Sequence, residues 1–405
     1  MATTDGNGKV TSPMIESGRP ALVVEAVRTA IGRSHPEKGA FRDTHPNTLL
    51  ATCLTELVRR TGIDPGEVED VIAGCTAPFG EQSRNIARNA WLQAGFPVEV
   101  PAITIDRRCG SAQSAVSYAA GLIASGTHDL VIAAGVEHMQ HVPIDSPLKV
   151  AELYGSPWPP ELQERFDFVG QGESAELIAD RWGITREAMD ALAVESHRRA
   201  HAAQRDGRFV KEIVAVDTPH GTVTEDQGIR PDTSLEKLAT LKTPFRPDVG
   251  KVTAGTSSQI SDGASAVLLA SPRKAEELGL RGRARIVDQV TVGVDPIIML
   301  TGPIPATRKL LHRTGLTLGD VDLVEINEAF ASVVLAWQQE LDADMERVNV
   351  NGGAMALGHP VGMTGARLVA TILHEMERRD SELGLVTMCC GGGLGTGTLL
   401  QRLEG

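Results

Sequence analysis

Arg60-Thr61-Gly62-Ile63, followed by Gly66-Glu67-Val68-Glu69-Asp70-Val71-Ile72, reappears late in the chain as Arg313-Thr314-Gly315-Leu316, followed by Gly319-Asp320-Val321-Asp322-Leu323-Val324. Each copy reads as a helix end, a turn and a buried strand. A second unit trails each copy. Ala102-Ile103-Thr104-Ile105 runs into a turn and a helical stretch in the first half, and Val348-Asn349-Val350-Asn351 runs into Gly352-Gly353 and another helix in the second. Both units close on an apolar run, Asp129 to Gly135 and Gly384 to Met388. Strands alternating with helices at this spacing predict parallel or mixed sheets covered by helical layers. Two weakly similar halves predict a duplicated α/β fold, which narrows the choice of architectures more than any other feature of the chain.

Ordered structure is expected to begin at the apolar run Ala21 to Val27, leaving residues 1–20 as a disordered N-terminal tail. From Asn47 to Arg60 the residues Leu49, Leu50, Cys53, Leu54, Leu57 and Val58 recur at helical spacing, with Gly62 at the C-terminal cap, so Cys53 reads as core. Residues 141–250 break the rhythm. They hold Pro157, Pro159 and Pro160, an amphipathic helix from Thr185 to Asp206 stopped by Gly207, and a charged loop. Long insertions on a rigid scaffold form lids and binding loops, so substrate recognition is expected there.

The formal net charge of -13 disfavours nucleic acid and anionic membrane as partners, and an anionic ligand would need a local basic patch. No stretch approaches the ~20 apolar residues of a membrane span. The first 19 residues lack the apolar centre of a signal peptide, and Leu403-Glu404-Gly405 is no peroxisomal address, so a cytoplasmic location is expected. Five cysteines without paired CxxC spacing read as free thiols rather than as disulfides or a metal site.

Four segments carry candidate chemistry. In Asp106-Arg107-Arg108-Cys109-Gly110-Ser111 a cysteine stands where a strand turns into a helix, where unpaired N–H groups and the helix dipole are expected to lower its pKa; a small buried hydrophobe is the alternative. In Asn351-Gly352-Gly353 through Gly358-His359-Pro360 to Gly365, an imidazole with an ordinary pKa of roughly 6.5 sits at a glycine-rich apex, suited to shuttle a thiol proton, against a structural histidine as the alternative. Cys389-Cys390-Gly391-Gly392-Gly393 follows the last strand. Its glycines let N–H groups face an oxyanion, and the competing phosphate loop lacks GxxxxGK[ST]. Glu325-Ile326-Asn327-Glu328-Ala329-Phe330 ends the repeated strand, where the carboxylates read equally as solvated helix-start residues and Asn327 as a cap.

Together these segments, in this order from about Ala21 to the C terminus, closely resemble the thiolase family. The resemblance implies two βαβαβαββ-like halves in a five-layer αβαβα core, with an N-terminal domain at 21–285, a loop domain inserted at about 141–250, and a C-terminal domain at 286–405. It also implies Cys109 as the acyl-carrying nucleophile, His359 as its base and Cys389 as a second acid/base, with Cys390 on a variable position and structural. One oxyanion site would combine His359 with a water held by Asn327, and the other the N–H groups of Cys109 and Gly391. Arg230 and Ser258 take coenzyme A positions by the same likeness. Acyl-CoA and CoA are the implied ligands, with no metal and no permanently bound cofactor, and a homodimer or homotetramer is expected. The activity implied is thiolytic cleavage of a 3-ketoacyl-CoA, or the reverse condensation.

Acetoacetyl-CoA thiolases carry His-Met-Gly before Ser/Thr-Ala-Glu, whereas this chain reads Gly170-Gln171-Gly172-Glu173-Ser174-Ala175-Glu176. Loss of the imidazole predicts room for acyl groups larger than acetoacetyl. Gly135 to Gln140 and Thr301 to Ala306 resemble thiolases of steroid-ring breakdown. A ketoacyl synthase of the same broad fold is the nearest enzymatic alternative, distinguished by Cys389 where a synthase has histidine or asparagine. A noncatalytic acyl-CoA carrier is the alternative from another class.

Overall fold

The computed structural model describes residues 19–404, together with Thr3–Thr4 and Val10–Thr11, which pair as two short antiparallel strands. The remainder of the expected leader lies outside the described residues. The main elements are β1 (Leu22–Thr29), α1 (Pro46–Thr61), β2 (Asp70–Gly74), α2 (Ile86–Gln93), β3 (Ala102–Ile105), α3 (Ser111–Ser125) and β4 (Leu130–His138). After a largely helical stretch containing α4 (Gln171–Arg181) and α5 (Arg186–Arg205) come β5 (Ser261–Ala270), β6 (Ala284–Gly293), α6 (Pro303–Thr314), β7 (Leu323–Ile326), α7 (Ala331–Leu341), α8 (Thr364–Arg379), β8 (Leu383–Cys390) and β9 (Leu394–Arg402).

These strands line up as β7-β8-β9-β6-β1-β5-β4-β2-β3. The two half-sheets meet between β6 and β1 through only two residue pairs, Ala284 with Val23 and Arg285 with Leu22. Parallel pairing of β4, β2 and β3 in one half has its counterpart in the parallel β8 and β7 of the other. The sequence repeat is visible in detail. Helices α1 and α6 end at Gly62 and Gly315, with φ of 68° and 71°, each followed by a single 3-10 turn and a strand. Such left-handed caps favour glycine because no Cβ meets the preceding carbonyl. One expected element is reduced: Val348 makes a lone bridge to Val324, so the counterpart of β3 is not a full strand. Asn349 explains the break, since its side chain bonds both the N–H and the carbonyl of Ile326 at 2.9 Å and occupies the groups a strand would use.

Alternation along the strands builds five layers. Val71, Ala73, Ile132, Ala134 and Leu268 face outward onto Leu50, Cys53, Leu54 and Leu57 of α1 and Trp91 of α2. Their neighbours Ile72, Val131, Ala133, Val267 and Leu269 face the centre, where they meet Ala112, Ala115, Val116 and Ala119 of α3 and Val369, Ile372 and Leu373 of α8. Val386, Met388 and Leu400 close this central layer from the second half-sheet, whose other face packs Ile326, Leu385 and Leu399 on Leu310 of α6 and Trp337 of α7. Each fully buried aliphatic or aromatic side chain contributes about 1.5–3 kcal/mol relative to exposure, so both sheet faces stabilise the fold. Small residues on α3 let it lie close to α8. A methyl group on Gly365 would come within 2.2 Å of the Gln113 backbone nitrogen.

Helix α5 begins after the cap Thr185 and ends before Gly207, as its sequence predicts. The chain returning from it is pinned to β1 by Arg28, which is fully buried between Glu212 at 2.7 Å and Asp226 at 2.7 and 2.9 Å. Both carboxylates are buried as well, so the pair holds this region against the sheet only while all three charges remain together.

Candidate active site

Cys109 follows β3 and precedes α3, whose first turn opens at the cap residue Gly110. Arg108 holds a left-handed φ of 51°. Three hydrogen bonds fix that conformation: Asp106 Oδ1 accepts the Arg108 N–H at 2.7 Å, and the Arg108 carbonyl accepts from Thr76 Oγ1 at 3.1 Å and Ser111 Oγ at 2.6 Å. The Cys109 thiol is 1% exposed. Burial pushes its pKa up to about 11, while the N–H groups of Gly391 and of Cys109 itself pull the other way. The lowered pKa expected from the helix N-terminus is therefore overturned. The N–H groups act in the anticipated direction, but desolvation of the thiolate outweighs them. A pKa of about 11 makes the neutral thiol the form of Cys109 at neutral pH.

Strand β8 delivers the second sulfur. Cys389 and Cys390 are buried, and each has its pKa raised, first by burial and next by the proximity of Cys109. Cys390 Sγ packs so closely on Gly110 that a methyl group there would meet it at 2.6 Å. The chain then turns so that the Gly391 N–H points at the Cys109 sulfur. The structure thus brings Cys109, Cys389 and Gly391 together.

Asn327 follows β7, beside β8, and its N–H donates to the Thr387 carbonyl at 3.1 Å, two residues before Cys389. Its side-chain Nδ2 lies 3.3 Å from His359 Nε2. Thr364 Oγ1 donates to the Pro360 carbonyl at 2.8 Å, so its oxygen accepts from His359 Nδ1–H at 2.6 Å. The protonated nitrogen is therefore Nδ1. Nε2 keeps its lone pair, with Asn327 Nδ2 as its donor. Burial, and then the charge of Arg367, depress the His359 pKa to about 3, so the ordinary imidazole pKa expected from the sequence is overturned and the ring is neutral. Asn327 Oδ1 is buried without a partner among the described residues, an acceptor available to a bound molecule.

Two residues given no role in the sequence reading hold these pieces in register. Glu137, at the end of buried β4, accepts from the N–H groups of Thr76, Ala77 and Gly362 at 2.8, 3.1 and 2.9 Å, so one carboxylate ties the Cys109 side to the His359 loop. Gln259 Nε2 donates to Gly228 and Met355 at 2.9 Å and to Ala356 at 3.0 Å, and its carbonyl accepts the His359 N–H at 3.1 Å. A carboxylate inside an otherwise apolar strand was the available signal for Glu137, because a buried charge requires partners. Nothing local distinguishes Gln259.

Glu325 and Glu328 correct the expectation of solvated carboxylates, being 2% exposed each. Glu328 accepts from Ser196 Oγ at 2.7 Å, Asn349 Nδ2 at 3.0 Å and the Met355 N–H at 3.1 Å, and Glu325 faces Arg367 at 3.5 Å. Ser258 lies beside this segment, its N–H donating to Ala329 at 2.9 Å. Arg230 is exposed, bonded through its backbone N–H to His197 Nδ1 at 3.1 Å. Among the described residues no hydrogen bond joins either to Cys109.

Residues 21–273 match the thiolase N-terminal domain and residues 280–402 the thiolase C-terminal domain. The steroid 3-ketoacyl-CoA thiolase FadA6 of Mycobacterium tuberculosis is 48% identical over 96% of this chain and 97% of its own length. A 3-ketoacyl-CoA thiolase of Shewanella loihica is 45% identical, covering 95% of this chain and all of that protein. Among solved structures, human mitochondrial 3-ketoacyl-CoA thiolase superposes with a TM-score of 0.88 at 33% identity over 95% of this chain and 99% of the other. Bacillus anthracis acetyl-CoA acetyltransferase gives 0.85 at 38% identity over 96% and 100%. The chain belongs to the thiolase family. It is an acyltransferase that exchanges acyl groups between a 3-ketoacyl-CoA and CoA, by thiolytic cleavage or the reverse condensation.

Proposed function

We propose that Cys109, His359, Cys389, Asn327 and Gly391 carry this reaction. In the cleavage direction Cys109 Sγ attacks the 3-keto carbon while its proton passes to His359 Nε2. The bond between C2 and C3 then breaks, and Cys389 protonates the departing acetyl-CoA carbanion. Incoming CoA gives its thiol proton to the Cys389 thiolate and takes the acyl group, while His359 returns its proton to the departing Cys109 sulfur. Negative charge builds on the attacked carbonyl and on the thioester oxygen, so two sets of donors are required. The Cys109 and Gly391 N–H groups supply one, and His359 with a water held by Asn327 the other. The observation that carries this reading is the proximity of the Gly391 and Cys109 N–H groups to the Cys109 sulfur, where they act to lower its pKa, with Cys389 alongside. His359 is neutral with Nε2 unprotonated, the form that can accept a proton once the Asn327 donor gives way.

Intact-protein mass spectrometry after incubation with an acyl-CoA tests the assignment. Wild type gains one acyl mass on Cys109, and Cys109→Ser gains none while keeping its circular dichroism spectrum. An adduct that survives in Cys109→Ser would overturn it, and no adduct in wild type would favour a carrier.

The loop domain at 141–250 serves CoA recognition, within an N-terminal domain of 21–285 that precedes the C-terminal domain of 286–405. Arg33 and Arg230 lie near enough that partial desolvation of the Arg230 guanidinium and then the charge of Arg33 lower its pKa, although the residue as a whole is exposed, and among the described residues Arg33 Nε is buried without a partner. An anionic CoA phosphate would relieve that repulsion, with Ser258 at its edge. No metal or resident cofactor takes part. The acyl group exceeds acetoacetyl in size, in keeping with Gly170 in place of histidine and with the steroid thiolase among the relatives, and the protein acts in fatty acid or steroid degradation. Five unbridged cysteines fit a reducing cytoplasm, and among the described residues no helix is long and apolar enough to cross a membrane. The enzyme works as a homodimer or homotetramer. Exposed Ile103 on the edge strand β3 is in line with self-association. Size-exclusion chromatography with light scattering checks the oligomer, and a panel of CoA thioesters checks the acyl group.

A further inference from the structure

Gly391, whose N–H points at the Cys109 sulfur, has polar side chains on two sides. A methyl group placed on it would meet Gln171 Nε2 at 3.0 Å and the aliphatic stem of Arg108 at 3.8 Å. Gln171 is the half-buried first residue of α4, and among the described residues its carboxamide makes no hydrogen bond. The Arg108 side chain is 51% exposed, and its nearest carboxylate, Asp106, lies 3.8 Å away, too far for a hydrogen bond. The left-handed backbone that Asp106, Thr76 and Ser111 impose on Arg108 fixes where its stem runs.

The neighbouring wall is apolar. Met299 Sδ accepts the Gly392 N–H at 3.4 Å, and Met299, Leu300, Phe330 and Met355 cluster around Cys389. Two polar groups with spare hydrogen-bonding capacity therefore stand beside the nucleophile. A pure hydrocarbon acyl chain would strip water from both and return nothing, whereas an oxygen on the chain would satisfy them.

We propose that Gln171 and Arg108 make this site selective for 3-ketoacyl-CoA esters whose acyl portion carries a further oxygen function, a ketone or a carboxylate, beyond the 3-keto group. The proposal rests on the thiolase reading of the site and narrows its substrate class. Gln171 N–H donates to either kind of oxygen, and the Arg108 guanidinium adds a charge-assisted bond to a carboxylate.

The test compares kcat/KM for three esters of equal chain length: the unsubstituted 3-ketoacyl-CoA, its ω-keto counterpart and its ω-carboxy counterpart. Wild type should favour the oxygenated esters by roughly 10- to 100-fold, the range expected for hydrogen bonds to a polar or charged group. A larger preference for the carboxylate than for the ketone assigns the dominant contact to Arg108, and equal preference assigns it to Gln171. Gln171→Met should bring the ratio of kcat/KM for the ω-keto ester to that for the unsubstituted ester down to about one. Arg108→Met should selectively erase the gain for the ω-carboxy ester. Equal turnover of all three esters by wild type, or preferences that survive both substitutions, would overturn the proposal. If no ester is cleaved and Cys109 takes up no acyl group, the thiolase assignment of the site fails with it.

Discussion

Glu328 is buried with three donors on its carboxylate, Ser196 Oγ and the Met355 N–H on one oxygen and Asn349 Nδ2 on the other. Replacement by glutamine keeps the shape but gives one of those positions an NH2 group. Oε2 has two donors to lose, so the amide oxygen takes that side and the new NH2 faces Asn349 Nδ2. Asn349 cannot turn its amide over to compensate, because its Oδ1 accepts the Ile326 N–H and its Nδ2 donates to the Ile326 carbonyl, both at 2.9 Å. Two buried donors are left facing each other. Leaving one buried polar group unsatisfied costs about 1–3 kcal/mol, which sets the expected loss for Glu328→Gln. Glu328→Ala strands all three donors and opens a cavity, for a loss on the order of 3–5 kcal/mol. The segment so loosened, residues 349–355, leads directly to His359, so kcat should fall in the same order, Gln before Ala. Urea unfolding followed by circular dichroism, paired with steady-state thiolysis, measures both. A Glu328→Gln protein that unfolds at the wild-type midpoint would refute the donor conflict and with it the argument that this carboxylate positions the His359 loop.

Asn327→Ala removes the donor to His359 Nε2. Steady-state kinetics should show kcat lower by roughly 10²- to 10³-fold with KM little changed, as for loss of one oxyanion donor. Gly365→Ala forces a methyl group against the Gln113 backbone across the α3 and α8 contact, and thermal unfolding should register a loss of about 1–3 kcal/mol. His374 is buried, donates from Nδ1 to the Ala370 carbonyl at 2.8 Å, and has its pKa depressed by burial from 6.5 to about 4. Its folded pKa lies below its unfolded one, so its stabilising contribution is complete above about 6.5 and is lost toward about 4, at up to ~1.4 kcal/mol per pH unit. His374→Asn should remove that slope. A stability difference from wild type that stays constant across this pH window in chemical unfolding would contradict the assignment.

Local pattern carried much of the architecture. Helical spacing from Leu49 to Val58, the paired glycine caps at Gly62 and Gly315, and the apolar runs that became β2, β4 and β8 all depend on interactions within a few residues, so they are legible along the chain. The same holds for the placing of Cys109 between a strand and a helix, and of Gly391 after a strand end. Val348 to Asn351 misled because β propensity there competes with the Asn349 side chain, which reaches across to Ile326.

Ionisation was decided elsewhere. The sequence by itself determined which groups stand at the ends of β3, β7 and β8 and in the loop before α8, since chain order and periodicity place them there. Only the tertiary structure decided that Cys109 rests as a thiol, that His359 is a neutral ring protonated on Nδ1, that Glu325 and Glu328 are buried, and that Gln171 flanks Gly391. Desolvation and hydrogen bonding arise from atoms hundreds of residues apart in the chain, and a propensity read over a short window contains no information about them.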